Sequence, residues 1–324
     1  MINIRFFIEW ALNQLSNNLK TLILFLLFFI FSFSAKTDDY EYTKDIHSST
    51  FIEFEDSDYR NIILKKNINI IDTENRILFI YTPGSMNDDR IDGVCSTFNE
   101  FAYLTEFFYE FKKTYNIYFY LNCTNHIHGD MKIPNASNFP FPYRGISKHQ
   151  KIRENLASLV KEFKKKGFDR NNIFLVGHSC GAWHSLFAAS QNYEFVNSVI
   201  AFSPSCFGPR YLYFQRRGFL KQRKQDIKKI SKSNFLSSIV FVSPDDVREN
   251  NMTLKWLKKI DGVKVIKTFK RKNRKYIFNS LQCNFHSDFN VDEIPIIDGH
   301  NLHFSNCFKK YNSEIFDFIK SRIS

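Results

Sequence analysis

Short apolar stretches rich in β-branched and aromatic residues recur along the chain and alternate with longer stretches of helical periodicity. The apolar stretches are 76–81, 117–121, 173–176, 196–202, 238–242 and 263–269. Their length and composition predict buried strands. Buried strands that alternate with helices form parallel sheets covered on both faces, so the pattern predicts an α/β fold with a mostly parallel central sheet.

Three stretches predict the covering helices. Between residues 149 and 167, apolar side chains recur on one helical face and charged side chains on the other, and Gly167 stands where a C-terminal cap belongs. Residues 182–190 are apolar on nearly all sides, which is typical of a helix buried at the centre of a domain. Residues 314–323 close the chain with an amphipathic pattern.

A long segment, 207–235, separates two of the predicted strands. It is aromatic at its start, with Tyr211, Tyr213 and Phe214, and strongly basic afterwards. Ligands of open α/β sheets bind at the carboxyl edge of the strands. We therefore predict that 207–235 forms a small basic cap over that edge, within one domain that spans 36–324.

The first 35 residues have the pattern of a targeting segment. Lys20 precedes the apolar run 22–31, and the small residues Ser34 and Ala35 follow it before a charged, acidic stretch begins. This is the layout of a secretory signal peptide. The run is shorter than the ~20 residues of a membrane-spanning helix, which favours cleavage over the alternative of a membrane anchor. The prediction is a secreted or periplasmic protein.

Charge gives weaker information about partners. The chain has 45 Lys and Arg against 33 Asp and Glu, a formal net charge of +12. Lys, Asn, Ile and Phe are abundant throughout, whereas there are only 11 glycines and 8 prolines, which indicates a general compositional bias. We expect the basic runs 216–232 and 270–275 to be solvated surface and expect no nucleic-acid partner. Weak contact with an anionic membrane or polymer is the alternative.

Six cysteines in an exported chain permit disulfides. Their spacing does not select one pairing. We expect one or two bridges at loops, with Cys95–Cys123 as the first candidate because each residue follows a predicted neighbouring strand. We expect Cys180 to be a small buried residue rather than a bridge partner.

The segment 177–181, Gly-His-Ser-Cys-Gly, fits the pattern G-x-S-x-G between a predicted strand and a predicted buried helix. That context is the one a nucleophile elbow requires. The serine backbone is strained so that its hydroxyl projects outward, and glycine is needed two residues before and after it because a Cβ would meet neighbouring backbone. The pattern predicts that Ser179 is a nucleophile.

From about residue 61 onward the chain resembles the α/β-hydrolase fold family, in which the nucleophile, an acid and a histidine follow one another along the chain. The resemblance implies Asp246 as the acid, with Asp245 as the alternative, in the turn after strand 238–242. It implies His300 as the base, because the family histidine often follows glycine, with His303 as the alternative.

The same resemblance implies an oxyanion hole made by the backbone amides of Cys180 and Ser85. The family commonly has His-Gly at the end of the early strand, whereas this chain has Pro83-Gly84. The backbone role remains available there, and a histidine role does not. The stretch 82–95 is similar to that of secreted members related to dienelactone hydrolases.

These residues predict a serine hydrolase that cleaves small-molecule carboxylic esters through an acyl-enzyme and needs no cofactor. The alternatives are a serine peptidase of the same fold and a non-catalytic binding protein on a decayed hydrolase scaffold. Neither the histidines of 126–130 nor the pair His300 and His303 has the further ligands of a zinc site, so we expect no metal there.

Overall fold

Eight strands form the central sheet of the computed structural model within its described residues. The structure describes residues 45–46, 49–54, 62–65, 76–84, 96–97, 111–112, 114–123, 141–191, 195–212, 217–272, 275–278, 281–282 and 299–323. The strands, in chain order, are β1 (Asp45–Ile46), β2 (Thr50–Phe54), β3 (Ile62–Lys65), β4 (Arg76–Thr82), β5 (Ser96–Thr97), β6 (Asn116–Leu121), β7 (Ile173–His178), β8 (Ser198–Phe202), β9 (Phe235–Val242), β10 (Asp261–Lys267), β11 (Arg271–Lys272), β12 (Lys275–Phe278) and β13 (Leu281–Gln282).

The helices follow the predicted alternation with these strands. The α-helices whose bounds both lie in the described residues are α1 (Phe141–Lys165), α2 (Ser179–Gln191), α3 (Arg217–Ile230) and α4 (Asn312–Ile323). The short 3₁₀ helices are Arg170–Asn172, Arg210–Leu212, Lys255–Lys259, Gly299–Phe304 and Asn306–Tyr311. Helix α1 begins before the predicted 149, with Pro142 in its first turn, where a missing N–H costs no helical hydrogen bond.

The central sheet has the order β10-β9-β8-β7-β4-β6-β2-β3. The strands from β10 to β6 run parallel to one another, and at the edge β2 pairs antiparallel with both β6 and β3. Two smaller sheets are separate from it: the two-stranded sheet β1-β5 and the three-stranded sheet β11-β12-β13. The predicted α/β fold, with its mostly parallel central sheet, is confirmed.

Side chains on both faces of the sheet are buried. On one face Leu78 and Ile80 of β4 pack in a common core with Leu156 of α1, Leu186 of α2 and Ile230 of α3. Successive side chains of a strand point to opposite faces, so the residue between Leu78 and Ile80 faces the other layer. That layer holds α4, and helices therefore cover both faces, as predicted.

The contacts of that second layer are aromatic. Phe79 lies 6.3 Å from Phe111 between ring centroids, and Phe111 lies 4.7 Å from Phe316 of α4. Nearer the carboxyl edge, Phe202 and Phe241 stack at 5.5 Å, and Phe308 meets both of them edge-on. This layer thereby fixes the segment 299–311 against the ends of β8 and β9.

Helix α3 lies within the segment predicted as a cap. Its Asp226 is buried and accepts hydrogen bonds from Trp183 Nε1 of α2 at 3.0 Å and from Arg153 Nη1 of α1 at 3.2 Å. Ile230 is buried in the core with α1 and α2. The helix is thus part of the layer beside the sheet, and the prediction of a cap now concerns the other residues of 207–235.

The predicted signal peptide, 1–35, lies outside the described residues. Among the residues that are described, no helix combines the length and the apolar character needed to cross a bilayer.

Candidate active site

The turn between β7 and α2 carries Ser179. Strand β7 ends at His178, and Ser179 is the first residue of α2 with a φ of +52°. L-residues other than glycine seldom adopt this left-handed conformation, which costs about 1–3 kcal/mol, so the surrounding structure must hold it in place.

Both glycines of the motif have a steric reason. A Cβ on Gly181 would lie 2.0 Å from the carbonyl oxygen of Thr82, and a Cβ on Gly177 would lie 2.6 Å from the amide nitrogen of Ala182. Both neighbouring atoms belong to the backbone and cannot rotate away. The elbow therefore packs directly against the end of β4 at a distance that only glycine permits.

Three side chains from separate parts of the chain meet at this turn. Nε2 of His300 lies 2.8 Å from Oγ of Ser179, and Nδ1 of His300 lies 2.7 Å from Oδ2 of Asp246. Ser179, His300 and Asp246 are all buried. Asp246 belongs to the turn after β9, and His300 belongs to the 3₁₀ helix Gly299–Phe304.

The alternative residues occupy other positions. Asp245 donates its backbone amide to Oγ of Ser243 at 3.3 Å, and it is the carboxylate of Asp246 that reaches His300. The ring of His303 stacks on Phe202 at 5.1 Å with an interplanar angle of 6°. It also lies 4.2 Å from the ring of His178. His303 therefore lies behind the chain of contacts that joins His300 to Ser179.

Backbone amides surround the carboxylate of Asp246. Its Oδ1 accepts hydrogen bonds from the amides of Arg248 at 2.7 Å and Glu249 at 3.3 Å. Burial raises the pKa of Asp246 to about 7, and these amides together with the charge of Arg248 act in the opposite direction. Nη2 of Arg210 donates to the carbonyl oxygen of Asp246 at 2.9 Å and holds the turn from outside.

A buried ion pair anchors the rest of the acid turn. Both carboxylate oxygens of Glu249 accept hydrogen bonds from the guanidinium of Arg223, through Nε and through Nη2, the latter at 2.8 Å. Glu249 is fully buried. Arg223 also donates to the carbonyl oxygen of Thr253 at 3.3 Å. Helix α3 thus fixes the segment that carries Asp246.

Two further histidines adjoin His300. Nε2 of His178 lies 3.3 Å from the carbonyl oxygen of His300. Burial lowers the pKa of His178 and of His303 well below the usual value for histidine, so both rings are neutral at pH 7. Sequence reasoning overlooked His178 because it occupies an unspecified position of the G-x-S-x-G pattern.

The predicted oxyanion hole is described in part. The amide of Cys180 lies in the first turn of α2, where backbone N–H groups have no partner within the helix. A Cβ on Gly84 would lie 3.0 Å from Cβ of Ser179 and 3.0 Å from Nδ1 of His178, so the end of β4 closely approaches the elbow. Ser85 lies outside the described residues.

The loop after β8 joins the elbow from the other side. The amide of Ser205 donates to the carbonyl oxygen of Ser179 at 3.0 Å, and a Cys180–Cys206 disulfide links the next residues. The prediction that Cys180 is not a bridge partner is wrong. The backbone pairing of Ser179 with Ser205 brings the Cα atoms of the two cysteines to 4.2 Å, which the sequence separation of 26 did not reveal.

Other disulfides involve Cys123 and Cys307. The predicted partner of Cys123, Cys95, lies outside the described residues, so that pairing stays a prediction. The histidines of 126–130 also lie outside them. Among the described residues, one group has donors suited to a metal ion, formed by His149, Cys180, His184 and Cys206.

Comparison with known proteins adds little to this geometry. No family model and no curated protein matches the chain. Among solved structures, the Pyrococcus furiosus esterase Pf2001 is 14% identical over 76% of this chain and 82% of its own, with a TM-score of 0.43. A structure of the metagenome-derived lipolytic enzymes LipS and LipT is 8% identical over 76% and 95%, with a TM-score of 0.47. Est1E from Butyrivibrio proteoclasticus with bound ferulic acid is 12% identical over 61% and 81%, with a TM-score of 0.38.

Proposed function

We propose that this protein is a serine hydrolase that cleaves carboxylic esters, with Ser179 as nucleophile, His300 as general base and Asp246 as the acid of the triad. One observation carries the proposal: the continuous chain of contacts from Oγ of Ser179 through both nitrogens of His300 to Oδ2 of Asp246, at 2.8 and 2.7 Å. These are the contacts by which a base activates a serine and a carboxylate orients the base.

In the first half of the reaction, Oγ of Ser179 attacks the ester carbonyl and Nε2 of His300 takes its proton. The carboxylate of Asp246 accepts a hydrogen bond from Nδ1 and stabilises the imidazolium that forms. The amides that hold Oδ1 of Asp246 leave Oδ2 directed at His300. His300 then protonates the departing alkoxide, and water releases the acyl group by the same steps in reverse order.

The oxyanion that forms during the attack accepts hydrogen bonds from the backbone amide of Cys180 and, as the second donor, from that of Ser85. The first donor is favoured by its place in the opening turn of α2, where the helix dipole also favours negative charge. The second is favoured by the close approach of Gly84 to Ser179. The mechanism requires no cofactor.

Esters are preferred over peptides on chemical grounds. An alkoxide leaves more readily than an amine, so a triad without dedicated peptide recognition cleaves esters first. The backbone amide of Arg210 donates to the carbonyl oxygen of Val247 at 3.1 Å, which places the 3₁₀ helix Arg210–Leu212 beside the turn that carries Asp246. Tyr211 of this helix is 62% exposed. An exposed tyrosine beside the acid turn can supply apolar contact to a small acyl group.

Export belongs to the same proposal. The pattern of residues 1–35 supports a cleaved signal peptide and a secreted or periplasmic enzyme, with weak contact between its basic surface and anionic membranes or polymers as a minor addition. N-terminal sequencing of protein from the native host tests export. A mature chain that begins near residue 36 is expected, and a cytoplasmic chain that begins at Met1 contradicts it.

Labelling with a fluorophosphonate, followed by peptide mapping, tests the nucleophile and its competence together. We expect one label per chain, on Ser179, and none on Ser179→Ala. Ser185→Ala is the matched control, since Ser185 is a buried serine of the same helix, six residues after Ser179. Label on another residue contradicts the assignment, and absence of label from the folded protein favours a binding protein on a decayed scaffold.

The substrate class is tested on the unlabelled enzyme, once labelling of a separate sample has shown that its serine is reactive. We expect hydrolysis of p-nitrophenyl acetate and butyrate and little hydrolysis of neutral aminoacyl-arylamides. A phosphonate-reactive protein with the reverse preference is a peptidase, and the ester proposal then fails while the nucleophile assignment stands.

A further inference from the structure

Four side chains with metal-binding donors lie together behind Ser179. His149 comes from α1, Cys180 and His184 from α2, and Cys206 from the loop after β8. His149, Cys180 and His184 are buried, and Cys206 is partly buried. Cys180 and His184 are four residues apart on one helix, the spacing that places two ligands on the same helical face.

The donor atoms lie at the separations of a tetrahedral site. Nδ1 of His149 and Nε2 of His184 are 3.1 Å apart. Sγ of Cys180 lies 3.3 Å from Nε2 of His184 and 3.8 Å from Nδ1 of His149. Sγ of Cys206 lies 3.3 Å from Nδ1 of His149 and 3.5 Å from Nε2 of His184.

Tetrahedral zinc supplies the standard for these distances. Zinc–nitrogen bonds of about 2.0–2.1 Å and zinc–sulfur bonds of about 2.3 Å place two nitrogens ~3.3 Å apart and a nitrogen and a sulfur ~3.6 Å apart. The five nitrogen–nitrogen and nitrogen–sulfur separations here, 3.1 to 3.8 Å, agree with those edges to within a few tenths of an ångström. The sixth edge is the pair of sulfur atoms, which the disulfide joins.

We propose that the Cys180–Cys206 disulfide and a zinc site are two states of the same four side chains. A dithiol or another two-electron reductant breaks the sulfur–sulfur bond, and each sulfur gains one electron and one proton while the reductant is oxidised. The two sulfurs then separate to ~3.8 Å, and zinc binds them as thiolates, with release of their protons, together with the two imidazole nitrogens.

The composition of the group selects zinc and a structural role. Two thiolates and two imidazoles are a common zinc ligand set, and four protein ligands leave no open position for water or substrate. Oxygen-preferring ions such as Mg²⁺ and Ca²⁺ are disfavoured, because no carboxylate belongs to the group. Zinc here stabilises the fold around the nucleophile and takes no part in ester cleavage.

Arg153, which lies outside the group, orients the ring of His184. Nε of Arg153 donates to Nδ1 of His184 at 3.1 Å, and the same guanidinium is paired with the buried Asp226. This fixes the ring so that Nε2 points at the two sulfurs. The hydrogen bond leaves the ring proton on Nε2 in the disulfide state. Because zinc binds a neutral imidazole, zinc binding at Nε2 moves that proton to Nδ1, and the guanidinium of Arg153 releases the ring while it stays paired with Asp226.

Both states perform the same mechanical task. Cys180 follows Ser179, and Cys206 follows Ser205, whose amide donates to the carbonyl oxygen of Ser179. A disulfide or a shared zinc ion between these cysteines holds the loop after β8 against the elbow. The protein therefore keeps the elbow connected in an oxidising compartment and, with zinc, in a reducing one.

Cobalt binding to the full chain tests the site without reference to activity. Protein reduced with a phosphine and titrated with Co²⁺ should bind one ion per chain, with thiolate-to-cobalt charge-transfer absorption and the visible bands of a tetrahedral site, and Zn²⁺ should abolish both. Oxidised protein should show neither signal. Reduced protein that binds no cobalt, or binds it without thiolate absorption, overturns the proposal.

Variants locate the ion. His184→Gln keeps the disulfide and therefore a folded oxidised protein, yet it should weaken cobalt binding in the reduced state by at least tenfold; Cys206→Ser should abolish the stoichiometric signal. Ser179→Ala and Cys307→Ser lie outside the ligand group and should retain one ion per chain. The proposal is overturned if His184→Gln and Cys206→Ser bind cobalt as the wild type does. It is also overturned if only Cys307→Ser loses binding, because the metal then lies elsewhere. An inactive enzyme with intact cobalt binding refutes the hydrolase alone.

Discussion

Ser179 is held from two sides by different kinds of interaction. On one side, hydrogen bonds link it to His300 and Asp246, which come from loops that Arg210 and Arg223 secure. On the other side, the disulfide of Cys180 attaches the elbow to the loop after β8, among imidazoles. The hydrogen-bonded side brings a ring nitrogen of His300 within reach of the Ser179 hydroxyl, whereas on the sulfur side the disulfide itself only fixes the backbone of Cys180 and Cys206. In the proposed mechanism, proton transfer therefore belongs to the first side and support of the turn to the disulfide.

The largest effects are expected on the hydrogen-bonded side. Ser179→Ala, His300→Ala and Asp246→Asn should each lower kcat on p-nitrophenyl butyrate by about 10⁴-fold, because residues that act as a unit lose most activity when one is removed. The measurement is steady-state hydrolysis with circular dichroism as the check on folding. His303→Asn is the control and should retain activity within about tenfold. Near-normal turnover of His300→Ala beside an inactive His303→Asn would reassign the base.

The support of the elbow itself is tested by Gly181→Ala. The added Cβ would lie 2.0 Å from the carbonyl oxygen of Thr82, so β4 and α2 must separate. We expect a loss of more than about 4 kcal/mol in the free energy of unfolding, or failure to fold. Gly84→Ala is the matched comparison, because its Cβ would meet side-chain atoms at 3.0 Å. It should lower the free energy of unfolding by less than Gly181→Ala does, and its main effect should be a loss of activity. Equal urea midpoints for the two variants would contradict this reading of the turn.

Arg223→Met removes the cation beside the acid turn. It leaves the fully buried carboxylate of Glu249 without its ion-pair partner, which typically costs about 3–5 kcal/mol. Urea unfolding should show this loss, and kcat should fall as Asp246 loses its fixed position. Lys166→Met is the control: its ion pair with Glu162 is exposed, with side chains 43% and 56% accessible, and should contribute at most about 0.5 kcal/mol. Similar losses for both would mean that the buried pair does not support the turn.

Cys206→Ser breaks the sulfur side. A disulfide across a sequence separation of 26 constrains the unfolded chain, and its loss should cost about 3 kcal/mol. The backbone hydrogen bond from Ser205 to Ser179 remains, so kcat should fall by less than about tenfold. Under the same reducing, metal-free conditions, the wild type and the variant should unfold at the same urea concentration. A loss of activity comparable with that of His300→Ala would mean that the sulfur side does more than hold position.

The sequence was informative where local pattern decides structure. The strands that form the parallel part of the sheet were predicted to within about three residues at each end, and the elbow was predicted at its observed position. Strand-length apolar runs and the G-x-S-x-G spacing are local signals. The hairpin of β2 and β3 was not predicted. Its strand Thr50–Phe54 is short, adjoins an acidic stretch and is stabilised by pairing with the distant β6.

The surroundings of the Cys180–Cys206 disulfide could not be predicted from the sequence. The one-turn spacing of Cys180 and His184 was a usable local signal, but His149 and Cys206 join them only through the packing of α1 and the loop after β8. Nothing in the spacing of those residues indicates their contact. The choice of Asp246 over Asp245 likewise depended on the direction of a side chain in a turn, although Asp246 was the residue implied by the resemblance.

The smallest expected effect concerns pH and the buried histidines. Burial lowers the pKa of His178 and His303, so below about pH 6.5 the unfolded chain takes up protons that the folded protein does not, and stability falls as the pH decreases. Asp246 acts in the opposite sense: its raised pKa of about 7 adds stability that is complete below the usual range for aspartate and is lost as the pH rises through 7.

His303→Asn should therefore reduce the loss of unfolding free energy on acidification by up to about 1.4 kcal/mol per pH unit between pH 6 and 5, whereas Asp246→Asn should make that loss steeper. Urea unfolding at pH 7, 6 and 5 measures both slopes, and parallel stability curves for the wild type and His303→Asn would show that His303 is protonated in the folded protein.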